Sequence, residues 1–182
     1  MLYIFDLDGT LVESFGIRPL PGVQVRLTLL VQQGYPLAIA TNQAGVAWRA
    51  QMKRLPYPLP TELGARFDEI AGLLPPLQEA VWFAAIHDDR VRLSDVDYAA
   101  LVEAFLHANR TLKLFVSAQP DWRKPQPGML LAACQHHGVP PGAAIYVGDM
   151  ESDAEAATTA GMAFITAEAF FAAGTPSTEA TS

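Results

Sequence analysis

Cysteine, lysine and long apolar runs are scarce in this chain. Cys134 is the one cysteine among 182 residues, which excludes an intrachain disulfide and a thiolate cluster for structural zinc. Lysine occurs three times, at Lys53, Lys113 and Lys124, and Lys plus Arg number 12 against 19 Asp plus Glu. The formal charge of −7 repels nucleic acid and anionic membrane unless a local basic patch intervenes. No apolar stretch approaches the length that spans a bilayer. The start shows no basic leader and meets Asp6 at once, so no signal peptide is expected and a soluble, cytoplasmic protein is. No internal repeat is visible.

What is present is a globular composition, 51% hydrophobic and 17% charged, in a chain long enough for one domain with a substantial core. Strand-like apolar runs fall at residues 2–5, 36–40, 80–86, 112–116, 143–147 and 163–166. Helical patterns fall at 23–33, 61–74, 127–137 and 151–160, and after Ser94, where Tyr98, Leu101, Val102 and Phe105 share one face. This alternation predicts an α/β fold with a mostly parallel sheet. No large cap fits between residues 10 and 36. The span 42–123, at roughly 80 residues, is too long for a loop; it must hold core α/β units, with a possible small insert at 90–116. From Gly174 the residues turn small and polar, and 172–182 are expected to form a flexible tail.

Three polar clusters each follow an apolar strand run: Asp6-Leu7-Asp8, Thr41-Asn42 and Gly148-Asp149-Met150-Glu151-Ser152-Asp153. In a parallel sheet all three lie on the edge at the carboxyl ends of the strands, where ligands bind. Four carboxylates there (Asp6, Asp8, Asp149 and Asp153) repel one another unless a cation lies between them. Oxygen-rich ligation favours Mg²⁺ over softer metals. Asp149 and Asp153, four apart, point from one face of a helix's first turn; the alternative is that they are helix-start acids stabilised by the macrodipole. Lys124, in Arg123-Lys124-Pro125-Gln126-Pro127, supplies the opposite sign, unless it is simply part of an exposed basic pair. Gly9 lets the chain turn tightly past the first two acids.

The series DLDGT, TNQ, RKPQPGM and GDxxxD, in this order over residues 2 to about 166, resembles the haloacid dehalogenase (HAD) superfamily of aspartate-nucleophile phosphatases. The TNQ and RKPxPGM forms are most similar to the branch containing histidinol-phosphate phosphatase, heptose-bisphosphate phosphatase and polynucleotide 3′-phosphatase. The resemblance implies a Rossmannoid parallel sheet with helices on both faces, a small cap or none, and one phosphatase domain over residues 1–171. It also implies Mg²⁺-dependent hydrolysis of a phosphomonoester. Asp6 would attack phosphorus and form an aspartyl-phosphate, and Asp8 would protonate the leaving alcohol and later take a proton from water. Thr41, Asn42, Arg123 and Lys124 would hold the phosphate. Asp149 would bind the metal with Asp6 and the backbone carbonyl of Asp8, and Asp153 would support it. The substrate implied is a small phosphorylated metabolite such as a sugar phosphate. A polynucleotide 3′-phosphate end, or phosphate or partner binding without catalysis, are the alternatives. Oligomeric state is left open.

Departures from the branch are informative. Its bacterial sugar bisphosphatases carry a zinc loop ending in CxCRKPKPGM, where this chain reads Gln119-Pro120-Asp121-Trp122 before Arg123. His87 has no sulfur partner, so zinc is not expected. Arg49, Lys53 and Arg54 form one basic cluster, either a second phosphate or nucleic-acid contact or a solvated helix face. Trp48 and Trp122 flank motifs and either stack on a substrate or pack against the fold. His136-His137 suit a helix end without a metal, and Cys134 reads as core.

Overall fold

In the first strand, β1 (Leu2–Phe5), Leu2 and Ile4 enter one apolar cluster and Phe5 enters another. Side chains alternate across a strand, so both faces of this one are buried, as parallel sheets require. The computed structural model describes residues 1–53, 56–109 and 111–172. Within them β2 (Leu37–Asn42), β3 (Val81–Ala85), β4 (Lys113–Ser117), β5 (Ala144–Gly148) and β6 (Ala163–Thr166) join β1 in a six-stranded sheet. The order is β4-β3-β2-β1-β5-β6 and every pairing is parallel. The sheet is therefore Rossmann-like, with β1 at its centre between β2 and β5.

Seven α-helices flank the described sheet: α1 (Val23–Gln32), α2 (Gly45–Met52), α3 (Pro60–Leu73), α4 (Asp95–Ala108), α5 (Gly128–His137), α6 (Glu151–Ala160) and α7 (Ala167–Ala172). Leu27, Phe67, Phe105 and Phe170 pack with Phe5, Ile39 and Trp82 on one face. Met129, Ala133, Ala156 and Ala160 pack with Ile4, Ala40 and Phe83 on the other. Local chemistry sets the helix starts. Pro60 opens α3, and the Glu62 carboxylate accepts the Leu59 N–H at 2.7 Å. At α4, Ser94 Oγ accepts the Asp97 N–H at 3.2 Å while Asp97 Oδ2 accepts the Ser94 N–H at 3.2 Å. Such a cap contributes about 1 kcal/mol.

Three expectations are corrected or completed here. Within the segment 90–116, α4 is the crossover helix between β3 and β4, Phe105 meets Phe67 with ring centroids 5.4 Å apart, and β4 pairs with β3. Helices α2 and α7 have no counterpart in the sequence reading, because eight and six residues are too few for the periodicity to register. Ala172 closes α7 rather than beginning a tail, and residues 173–182 and Arg54 lie outside the described residues. Among the described residues no helix is long and apolar enough to cross a membrane.

Candidate active site

The Asp6 N–H donates to the Val147 carbonyl at 2.9 Å, extending the β1–β5 ladder one residue past β1. This holds the Asp6 side chain at the sheet edge. Asp149 follows β5 directly, and Asp153 lies in the first turn of α6. The three segments converge: carboxylate oxygens of Asp6, Asp149 and Asp153 all lie within 4.8 Å of one another. Gly9 turns the chain here with φ +81°, and any Cβ on it would overlap the Asp149 carboxylate. Thr10 Oγ1 donates to Asp149 Oδ1 at 3.2 Å.

Lys124 enters the cluster from the loop after β4 and is buried. Its Nζ stands 2.6 Å from Asp6 Oδ1, 2.7 Å from Asp153 Oδ1 and 2.8 Å from Tyr146 Oη. The Tyr146 hydroxyl in turn donates to Asp153 Oδ1 at 2.9 Å. Asn42 fixes the Lys124 backbone from both sides. Asn42 Nδ2 donates to the Lys124 carbonyl and Asn42 Oδ1 accepts the Lys124 N–H, each at 3.1 Å. The Asn42 amide is thus engaged in holding the lysine loop. Arg123 points elsewhere: it donates to the His87 carbonyl at 3.2 Å and pairs with Asp88 at 3.4 Å.

Asp8 belongs to a second group of contacts. Its carboxylate accepts from Arg66 Nη2 at 2.5 Å, from Gln43 Nε2 at 2.9 Å and from the Phe15 N–H at 2.8 Å. Gln43 Nε2 also donates to Thr41 Oγ1 at 2.9 Å, which leaves the Thr41 O–H free to donate to another acceptor. Gln43 stands in a quoted motif without an assigned role, and Arg66 and Tyr146 are absent from the sequence reading. A signal existed for each. Arg66 falls on the Leu63–Ile70 stripe of α3, and Tyr146 is a polar-tipped ring inside a fully apolar strand run.

The remaining candidates pack into the fold. Trp48 Nε1 donates to Asp88 at 3.3 Å and its ring stacks on Tyr57, centroids 6.0 Å apart; Trp122 lies against Phe83 at 5.9 Å. Arg49 donates to the Tyr57 carbonyl at 3.3 Å. Asp88 also receives Arg90, whose hydrogen bonds hold its carboxyl well below the usual range. His87 pairs with Asp89 at 2.8 Å, and Cys134 is buried.

Burial pushes the Asp6 carboxyl up to about 6, against the pull of Lys124 and with a further push from Asp153. Burial, then Asp153, also raises Asp149. Burial alone would lower Lys124, but Asp6 and Asp153 leave it raised and charged. One ammonium therefore faces three carboxylates, and the cluster retains uncompensated negative charge. The donors are all hard oxygens, and Asp149 is the exposed member, so the site fits a divalent cation entering from solvent.

This electrostatics predicts a pH dependence. A carboxyl raised from 3.8 to about 6 in the folded protein contributes stability that is fully present below the lower value. That stability is lost as pH climbs through the upper one. In EDTA, wild type should lose stability relative to Asp6→Asn between about pH 4 and pH 6. Denaturant midpoints across that range measure it; a constant difference between the two proteins would refute the assignment.

A family model described as HAD-hydrolase-like matches residues 121–168, the stretch carrying Lys124, Asp149 and Asp153. No curated protein matches the chain. Among solved structures, a protein from Mesorhizobium loti described as a HAD-like phosphatase is 20% identical with a TM-score of 0.65, covering 88% of this chain and 68% of that one. The D,D-heptose 1,7-bisphosphate phosphatase from B. bronchiseptica, complexed with magnesium and phosphate, is 22% identical with a TM-score of 0.57, covering 90% and 79%. The chain thus shares the fold of these HAD-like phosphatases.

Proposed function

We propose that the chain is a phosphoric monoester hydrolase that works through an aspartyl-phosphate on Asp6, with Mg²⁺, on a small phosphorylated metabolite. The observation that carries this reading is the buried contact of Lys124 Nζ with Asp6 Oδ1 at 2.6 Å, beside two further carboxylates at the carboxyl edge of the central strands. Asp6, Asp149 and the Asp8 carbonyl would hold the cation, with Asp153 behind them. The cation offsets charge on the phosphoryl oxygens when bound, which is what phosphoryl transfer chiefly needs.

Asp6 Oδ1 is held by Lys124, which leaves Oδ2 as the oxygen that would face the substrate. That oxygen is free to attack phosphorus. As the new P–O bond forms, the bond to the leaving alcohol breaks and Asp8 supplies that alcohol's proton. Water then attacks the aspartyl-phosphate, gives its proton to Asp8, and the bond from phosphorus to Asp6 breaks. In the structure Asp8 accepts from three partners, the arrangement that suits the second, proton-accepting half. Thr41 Oγ1 would donate to a phosphoryl oxygen. Asn42 acts by fixing Lys124.

The basic side chains favour a small substrate over a polynucleotide. Arg90 and Arg123 are engaged with Asp88, and Arg49 with a backbone carbonyl, and the net charge of −7 works against a phosphate backbone. p-Nitrophenyl phosphate hydrolysis with Mg²⁺ and with EDTA tests the chemistry: metal-dependent turnover is expected, and none under both conditions would refute it. A screen of sugar phosphates against a 3′-phosphorylated oligonucleotide tests the substrate class. Highest kcat/KM on the oligonucleotide, falling steeply with salt, would overturn the metabolite assignment.

A further inference from the structure

Arg66 reaches the site from α3, 58 residues along the chain from Asp8, and most of its guanidinium hydrogens are engaged. Nε and Nη2 donate to the Gly16 carbonyl at 3.0 and 2.7 Å, and Nη2 donates to Asp8 Oδ1 at 2.5 Å. Nη1 makes one long contact with Asp8 Oδ2 at 3.4 Å. A guanidinium carries five N–H donors, so one Nη1 hydrogen has no partner among the described residues. The side chain is 15% exposed. It is neither a surface cation nor a sealed one.

Its position relative to the reaction follows from the bonds already described. Gln43 Nε2 lies 2.9 Å from both Thr41 Oγ1 and Asp8 Oδ2, so the Asp8 carboxylate adjoins the phosphate side of the site. Arg66 contacts both oxygens of that carboxylate, Oδ1 through Nη2 and Oδ2 through Nη1. A leaving oxygen that meets Asp8 would therefore stand beside Arg66. The chain is otherwise hostile to an anionic leaving group: its net charge is −7 and acids crowd the edge. Lys124 is taken up by Asp6 and Asp153, and Arg123 and Arg90 by Asp88.

Resting on the phosphatase reading above, we infer that Arg66 recognises a second oxyanion on the leaving alcohol, and that the preferred substrates are phosphomonoesters bearing a carboxylate or another phosphate there. Arginine suits this because its charge is permanent and its remaining Nη1 hydrogen can give either oxyanion a charge-assisted hydrogen bond. Phe15 adjoins the same place: its N–H donates to Asp8 Oδ1 at 2.8 Å and its side chain is 92% exposed.

The test compares kcat/KM for matched pairs in wild type. Glycerol 3-phosphate against 3-phosphoglycerate probes a carboxylate, and fructose 1-phosphate against fructose 1,6-bisphosphate probes a second phosphate. One doubly anionic partner should be preferred by about 10- to 100-fold, the range of a charge-assisted hydrogen bond. Arg66→Gln should bring that ratio near one, and Arg66→Lys should keep part of it. No preference in either wild-type pair overturns the inference, whether or not the variants fold. Equal losses on both members of a pair in Arg66→Gln also overturn it, leaving Arg66 only to position Asp8. Absence of p-nitrophenyl phosphate turnover in wild type would instead sink the phosphatase reading, and this inference with it.

Discussion

Asp6→Asn is expected to lower kcat on p-nitrophenyl phosphate by ~10⁴-fold or more, the scale on which removal of a nucleophile acts, while the protein stays folded. The amide cannot form an acyl-phosphate, but it occupies the same volume beside Val147. Lys124 keeps its 2.7 Å pair with Asp153 and its 2.8 Å bond to Tyr146, so the substitution leaves no buried cation unpaired. Steady-state rates and thermal melts with Mg²⁺ report the two effects separately. A variant retaining a tenth of wild-type turnover would mean that Asp6 is not the attacking group.

Lys124→Met should have the opposite profile in stability. Removing the ammonium leaves Asp6, Asp153 and the Tyr146 hydroxyl facing one another in a site where Asp6 is 6% and Asp153 1% exposed. Breaking a buried ion pair from one side costs about 3–5 kcal/mol, far more than an exposed pair at ~0–1 kcal/mol. Turnover should fall by orders of magnitude as well if, as proposed, Lys124 offsets charge on the transferred group as it does on Asp6. Urea denaturation in EDTA and in Mg²⁺ is the measurement. The loss should be largest in EDTA and partly recovered with the metal, because a divalent cation substitutes for some of the missing charge. A denaturation midpoint in EDTA equal to that of wild type would show that the cluster does not depend on the ammonium.

The two substitutions separate because the acids outnumber the lysine. Losing one carboxylate from the cluster relieves repulsion, and losing its one ammonium exposes all of it. The raised Asp6 and Asp149 carboxyls carry the same message. Without a divalent cation the cluster is under electrostatic stress, held together by a sheet whose hydrogen bonds and two apolar faces are formed elsewhere.

Apolar runs of four to seven residues, three of them stopped by acids, Thr-Asn or Gly-Asp, are local features, and they are enough to read off the strands and their shared edge. The acids Asp6, Asp149 and Asp153 lie within a residue or two of strand ends or in one helical turn, so their convergence follows from parallel pairing alone. The sequence by itself therefore determined the fold class and the acid-lined edge. The partners that tune those acids were decided only by tertiary structure, because each comes from an element whose placement no local pattern encodes. Arg66 and Asp8 are 58 residues apart, Asn42 and Lys124 are 82 apart, and Lys124 and Asp6 are 118 apart. Helix periodicity marks Arg66 as lying on the stripe of α3 that faces inward, yet says nothing of what that stripe meets. Strand alternation likewise buries Tyr146 without revealing that its hydroxyl stands between Lys124 and Asp153. Side-chain contacts of this kind depend on how crossover helices and loops dock on the sheet, and docking is set by the packing of both apolar faces at once.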